Sequence, residues 1–183
     1  MAMTLITTNT SSNAASSSFT SGIDNTYKLY IFKFYAVNPA TDAAEFTFQA
    51  NAVGASGYNE TITSTFFQAY NQEEGAGGAL AYDPAGSMDQ AQGTAYQALG
   101  NTWGNAADES GAGTLWLFNP SNTTYVKHFY ATVSGYDGSS GGNNYTQNNY
   151  VAGYFNTTTA IDDIQFKMDS GNMDAVIKMY GVG

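Results

Sequence analysis

Tyr27–Ala36, YKLYIFKFYA, decides the fold class. Read at period two, one face carries Tyr27, Leu29, Ile31, Lys33 and Tyr35, and the other Lys28, Tyr30, Phe32, Phe34 and Ala36. Successive side chains alternate across a strand. A run that is mostly apolar on both faces therefore predicts a central strand covered on both sides. Asn38-Pro39 predicts the turn that ends it. Ala44–Ala50 follows with clean alternation, placing Phe46, Phe48 and Ala50 inward and Glu45, Thr47 and Gln49 toward solvent.

Outward from this pair, further strands are predicted at Thr61–Tyr70, Ala79–Tyr82, Thr94–Leu99, Thr114–Phe118, Thr123–Val133 and Tyr150–Phe155. Asp163–Met168 and Met173–Tyr180 flank the turn Asp169-Ser170-Gly171-Asn172. They are expected to pair as a hairpin, with Ile164, Phe166 and Met168 meeting Ala175, Ile177 and Met179. Roughly nine or ten short strands without a sustained helical period predict an all-β chain. The expected architecture is a single antiparallel β-sandwich, jelly-roll-like, with long Gly/Asn/Asp-rich loops at 71–93, 100–113 and 134–149. Within 83–93 there is room for one helical turn. Residues 1–22 are expected to form a polar N-terminal arm and 23–183 the sandwich domain. The run NTSSNAASSSFTSG at 9–22 has too little apolar area to offset its own ordering entropy, although Leu5, Ile6 and Phe19 offer short strands an anchor.

Charge excludes several functions. The 183 residues carry 5 Lys+Arg, all lysine, against 15 Asp+Glu, a formal charge of −10, and only 11% are charged. Phosphate backbones need clustered cations, and bidentate base readout needs arginine, so nucleic acid is not an expected partner. An anionic membrane surface repels such a chain. No stretch approaches the roughly 20 apolar residues of a membrane-spanning helix, and the start lacks the basic and apolar segments of a signal peptide. With no cysteine there is neither a disulfide nor a thiolate metal site.

Catalytic chemistry is sparse, and no catalytic residue is assigned. The single histidine, His128, falls in a predicted strand with nothing marking a nucleophile. The acid pairs Glu73-Glu74, Asp108-Glu109 and Asp162-Asp163 have the residue type for glycoside hydrolysis, but all fall in predicted loops. Calcium takes oxygen ligands from carboxylates and amides; Asp137 with Asn143 and Asn144, or Asp83 with Asp89, have that chemistry without an EF-hand spacing. These residues suit turns better than a calcium site. No cofactor other than calcium is implied. Loop aromatics carry the remaining signal, because Trp and Tyr offer a flat apolar face with a polar tip for sugars or protein partners. Trp103, Tyr136 and Tyr145 are the expected contact residues.

Three stretches carry a resemblance: SSSFTSGIDNTYKLYIFKFYAVNPATD (16–42), LWLFNPSNTTYVKHFYATV (115–133) and VAGYFNTTTAIDDIQFKMDSGNMDAVIKMYGVG (151–183). In these the chain resembles small β-rich structural proteins of tailed bacteriophages, especially marine ones. The resemblance implies a non-enzymatic virion protein: a capsid decoration or cement protein, a head fibre or a tail-fibre tip. It implies assembly in the host cytoplasm, a place on the virion surface, and the major capsid protein or other virion proteins as partners. A homo-oligomer, with a trimer favoured, is the expected state. The alternative is a carbohydrate-binding adhesive module, lectin-like or at a tail-fibre tip, that grips a host surface glycan during attachment.

Overall fold

The computed structural model describes residues 2–75, 77–138 and 144–183. Thirteen strands are present among them: β1 (Met3–Ala14), β2 (Ser17–Phe19), β3 (Leu29–Pro39), β4 (Phe46–Ala52), β5 (Ile62–Gln72), β6 (Gly78–Tyr82), β7 (Ala91–Gly93), β8 (Gln97–Ala98), β9 (Gly111–Phe118), β10 (Lys127–Asp137), β11 (Tyr145–Phe155), β12 (Ile161–Met168) and β13 (Met173–Val182). They form two antiparallel sheets packed as a β-sandwich. The large sheet runs β1-β13-β3-β9-β10-β11-β5-β6, with β7 also on β5, and the small sheet runs β2-β12-β4-β8.

Phenylalanines from both sheets make the core. Phe166 on β12 has its ring within 5.1–6.2 Å of those of Phe19, Phe32, Phe34, Phe46 and Phe48. Phe48 reaches farther along the large sheet, edge-on to Phe129 and Phe155. Such offset and edge-to-face pairs add about 0.5–1.5 kcal/mol each beyond burial.

Several expectations change in the folded chain. Residues 3–19 do not stand off as an arm. β1 pairs with β13 from Met3↔Val182 to Ala14↔Met173, and β2 pairs with β12. A Ser/Thr/Asn strand is held by its backbone ladder, which needs no apolar side chains, and Asn9 Nδ2 ties it to the Ser18 carbonyl at 2.9 Å. β12 and β13 are not a hairpin. They lie in opposite sheets, so 169–172 is an arch across the sandwich, and Ile164, Phe166, Met168, Ala175, Ile177 and Met179 are all buried in one core.

β4 has no solvated face. Thr47, Gln49 and Asn51 are buried, because the chain at 58–61 and 94–95 folds over them. Gln49 Nε2 donates to the carbonyls of Glu60 and Ala95, and the Tyr58 backbone N–H donates to Asn51 Oδ1. β3 runs through the expected turn to Pro39, with a bulge between Phe34 and Val37 where Ala36 takes a positive φ of 47°. The helical turn expected in 83–93 forms at Ala85, whose carbonyl accepts from the N–H groups of Met88 and Asp89.

Candidate functional site

Two features stand apart from the core: the outward face of the large sheet, and a polar cleft where its inward face runs past the small sheet. Strand parity builds the first. Tyr30, Phe32 and Phe34 of β3 point inward, which leaves Leu29, Ile31, Lys33 and Tyr35 on the outside. Ladder pairing extends this into rows. One row reads Leu5, Tyr180, Ile31, Trp116, Tyr130 across β1, β13, β3, β9 and β10. The next ends in Tyr150, Phe67 and Tyr82 on β11, β5 and β6. Trp116 stacks on Tyr130 at 5.1 Å and Phe67 on Tyr150 at 4.8 Å. Phe67, Tyr130, Phe118 and Leu5 remain 39%, 40%, 42% and 50% exposed.

The face is also unusual in charge. Of the fifteen acids only Asp137 lies in β3, β5, β9, β10 or β11, and it points inward. The charges on the outward face of these strands and of β13 are Lys33 and Lys178, directly paired across the ladder, and Asp174 at the start of β13; His128 lies at the edge, its ring meeting Tyr154. Lys178 Nζ lies 5.4 Å from the centre of the Tyr35 ring. Of the two sides of Tyr27–Ala36, only the inward one has a second layer of this chain packed on it; on the outward side Ile31 is 9% exposed between Tyr180 and Trp116, and Tyr35 is 42% exposed.

The second feature lies on the inner face of β5 and β11. Near the small sheet that face is apolar, with Ile62, Phe66, Val151 and Phe155 buried. Beyond it the same face turns to Gln68, Tyr70, Asn149, Gln147 and Tyr145. There a cleft of about 260 Å³ opens, bordered also by Thr102 and Asp137. Thr102 Oγ1 and Gln147 Nε2 both donate to Asp137 Oδ2, at 2.9 and 3.0 Å. Tyr70 and Tyr145 meet edge to face at 5.4 Å, and Gln72 Nε2 donates to the Tyr145 hydroxyl.

The expected contact residues scatter. Trp103 is not a surface contact: it is fully buried, stacked on Phe46 at 5.6 Å. Its indole fills a slot whose walls are Gly100, Gly111 and Gly135, glycines that leave room for it. Tyr136 lies half-buried on the outward face at the end of β10. Burial, then Glu73, Glu109 and Asp108, push its hydroxyl pKa up. Tyr145 alone lines the cleft.

Of the calcium candidates, Asp137 is held as described and Asn144 donates to Glu73 Oε2 at 3.3 Å, whereas Asn143 lies outside the described residues. Asp83 accepts from the Ala85 N–H, and Asp89 from the Tyr82 hydroxyl. Asp162 has its pKa raised, first by burial and then by Asp163. Among the described residues no three His, Cys, Asp or Glu side chains gather as a metal group. Sequence reasoning missed Gln68, Gln147 and Asn149, because amides in an Asn/Gln-rich chain carry no pattern until pairing aligns them. No family model, curated protein or solved structure matches this chain.

Proposed function

We propose that this chain is a non-enzymatic structural protein of a tailed-phage particle, a capsid decoration or head-surface protein. In this reading it assembles in the host cytoplasm and buries the outward face of its large sheet against further copies of itself, as a trimer. The observation that carries it is that face: rows of aromatic side chains, uncovered by this chain, on a strand whose sequence is apolar on both sides. Contiguous exposed apolar patches of this kind mark interaction surfaces. A second copy is the favoured occupant on charge. Two molecules at −10 each repel, and the face offers an approach that brings no carboxylates together along β3, β9, β10, β11 and β5.

Strand order supports a jelly-roll form. With β5–β7 and β10–β11 set aside as insertions, the remaining eight strands lie first-eighth-third-sixth against second-seventh-fourth-fifth, the pairing of two Greek keys wrapped together. The resemblance in the three quoted stretches supports the placement on a virion. Mass spectrometry of purified particles is expected to find this chain in fixed stoichiometry with the capsid protein; particles without it overturn the placement. Sedimentation equilibrium of the purified chain is expected to give three times 19.4 kDa, and a monomer at high micromolar concentration overturns the self-assembly.

A further inference from the structure

We infer that the polar cleft between β5, β11 and the turn at 101–102 is a binding site for a neutral, hydroxyl-rich ligand of the size of one saccharide unit. Buried polar groups in folded proteins nearly always have partners. Eight buried side-chain atoms among the described residues have none. Two of them, Gln68 Oε1 and Gln147 Oε1, belong to side chains that line the cleft, and three more, both amide atoms of Asn149 and Trp103 Nε1, lie in the packed layer behind it. Pairing explains the arrangement. Asn149 is the ladder partner of Gln68, and Gln147 of Gly135, the glycine against which the Trp103 nitrogen rests. Gln147 is 4% exposed and lines the cleft, with its unpartnered oxygen buried in the cleft wall.

The chemistry of the set selects the ligand. The lining carries two unpartnered acceptors, Gln68 Oε1 and Gln147 Oε1, and a ligand hydroxyl is a donor to such oxygens. None of the five lysines lines the cleft, and Asp137 borders it, which disfavours an anion. Tyr70 and Tyr145 also line the cleft, and an aromatic ring is the apolar surface that a sugar's C–H face needs. The volume is slightly below the roughly 300–1,000 Å³ of drug-sized sites, which suits one ring rather than a chain buried along its length. The inference is independent of the assembly proposed above, because the cleft opens on the inward side of the sheet and uses none of the stacked aromatics.

The test uses the full-length chain. Saturation-transfer NMR against neutral monosaccharides (glucose, galactose, mannose, N-acetylglucosamine and fucose) is expected to give signal for at least one, with weak affinity. Gln147→Leu, near-isosteric and without the orphan oxygen, is expected to lose at least tenfold in affinity; it also removes the Nε2 donor to Asp137, so it is expected to melt somewhat lower than the parent. Gln68→Leu repeats the test on the facing strand. The oligomeric mass is expected to stay unchanged in both. No transfer to any sugar, or transfer that survives both substitutions, overturns the inference. A melt that responds to millimolar calcium chloride and to no sugar marks a cation site and overturns it equally.

Discussion

Replacing Gly135 by alanine probes the Trp103 slot directly. A Cβ there stands 2.0 Å from Trp103 Nε1 and 2.3 Å from Cε2, far inside van der Waals contact. The indole has nowhere to go. Its other atoms lie 2.3 Å from the Cβ position of Gly100 and 2.2 Å from that of Gly111, and its face stacks on Phe46. Overpacking a tight core costs about 1–3 kcal/mol, and with no escape route the upper end is expected, about 3 kcal/mol. Taken by itself, glycine to alanine inside a strand is favourable by roughly 0.5–1 kcal/mol, and Gly135 has no positive φ that would oppose it. The sign should therefore depend on the tryptophan. Trp103→Phe removes the pyrrole nitrogen that Gly135 faces, at a cost of about 1–3 kcal/mol for the space left behind. In that background Gly135→Ala should become neutral or stabilising, a coupling of about 3 kcal/mol across the cycle. Urea denaturation followed by circular dichroism measures all four chains. Gly135→Ala within about 0.5 kcal/mol of the parent, the range of an inconsequential surface change, would refute the reasoning, as would the same cost in both backgrounds.

Other outcomes follow from the outward face, from the buried Lys127 and from the half-buried Glu45. Tyr130→Glu with Phe67→Glu should hold the chain at its monomer mass in sedimentation and leave its melting temperature at low concentration within a few degrees of the parent. Lys127 is buried, its ammonium donating to the carbonyls of Tyr125 and Thr157, and burial lowers its pKa. Between that lowered value and about 10.4 the unfolded chain binds the proton and the folded chain does not, so stability should rise with pH across this alkaline window; the rise should vanish in Lys127→Met. Glu45 has its pKa raised, chiefly by burial, against a smaller opposing hydrogen bond with Ser87. A raised carboxyl loses stability as pH climbs through its folded pKa, so Glu45→Gln should melt higher than the parent at pH 7 and match it below about pH 4.

The parts of the fold legible in the sequence are those set by neighbours one or two residues away. The alternation of Phe46, Phe48 and Ala50, and of Phe129, Ala131 and Val133, predicts which side chains enter the core, and all six are buried. Period-two alternation is a property of the strand itself and survives whatever packs on it. Tyr125, expected to continue the second stripe, is instead 70% exposed, because β10 begins only at Lys127. Polarity also failed as a guide to β4, whose Gln49 and Asn51 are satisfied by carbonyl and N–H groups of distant loops rather than by water. The cleft was illegible for the same reason: Gln68, Gln147 and Trp103 are far apart in the chain.

By itself, then, the amino-acid order determined an all-β chain, the location of ten of its thirteen strands, and a net charge of −10. All of these depend on local steric alternation or on simple sums of charge. Only the tertiary structure decided that 169–172 arches between sheets, that the Ser/Thr/Asn lead is an edge strand, and that β3 keeps one apolar face open. It also decided that Trp103 is core: three glycines, two of them in different strands, form a slot its ring fills, and no single stretch of sequence holds all the walls of that slot.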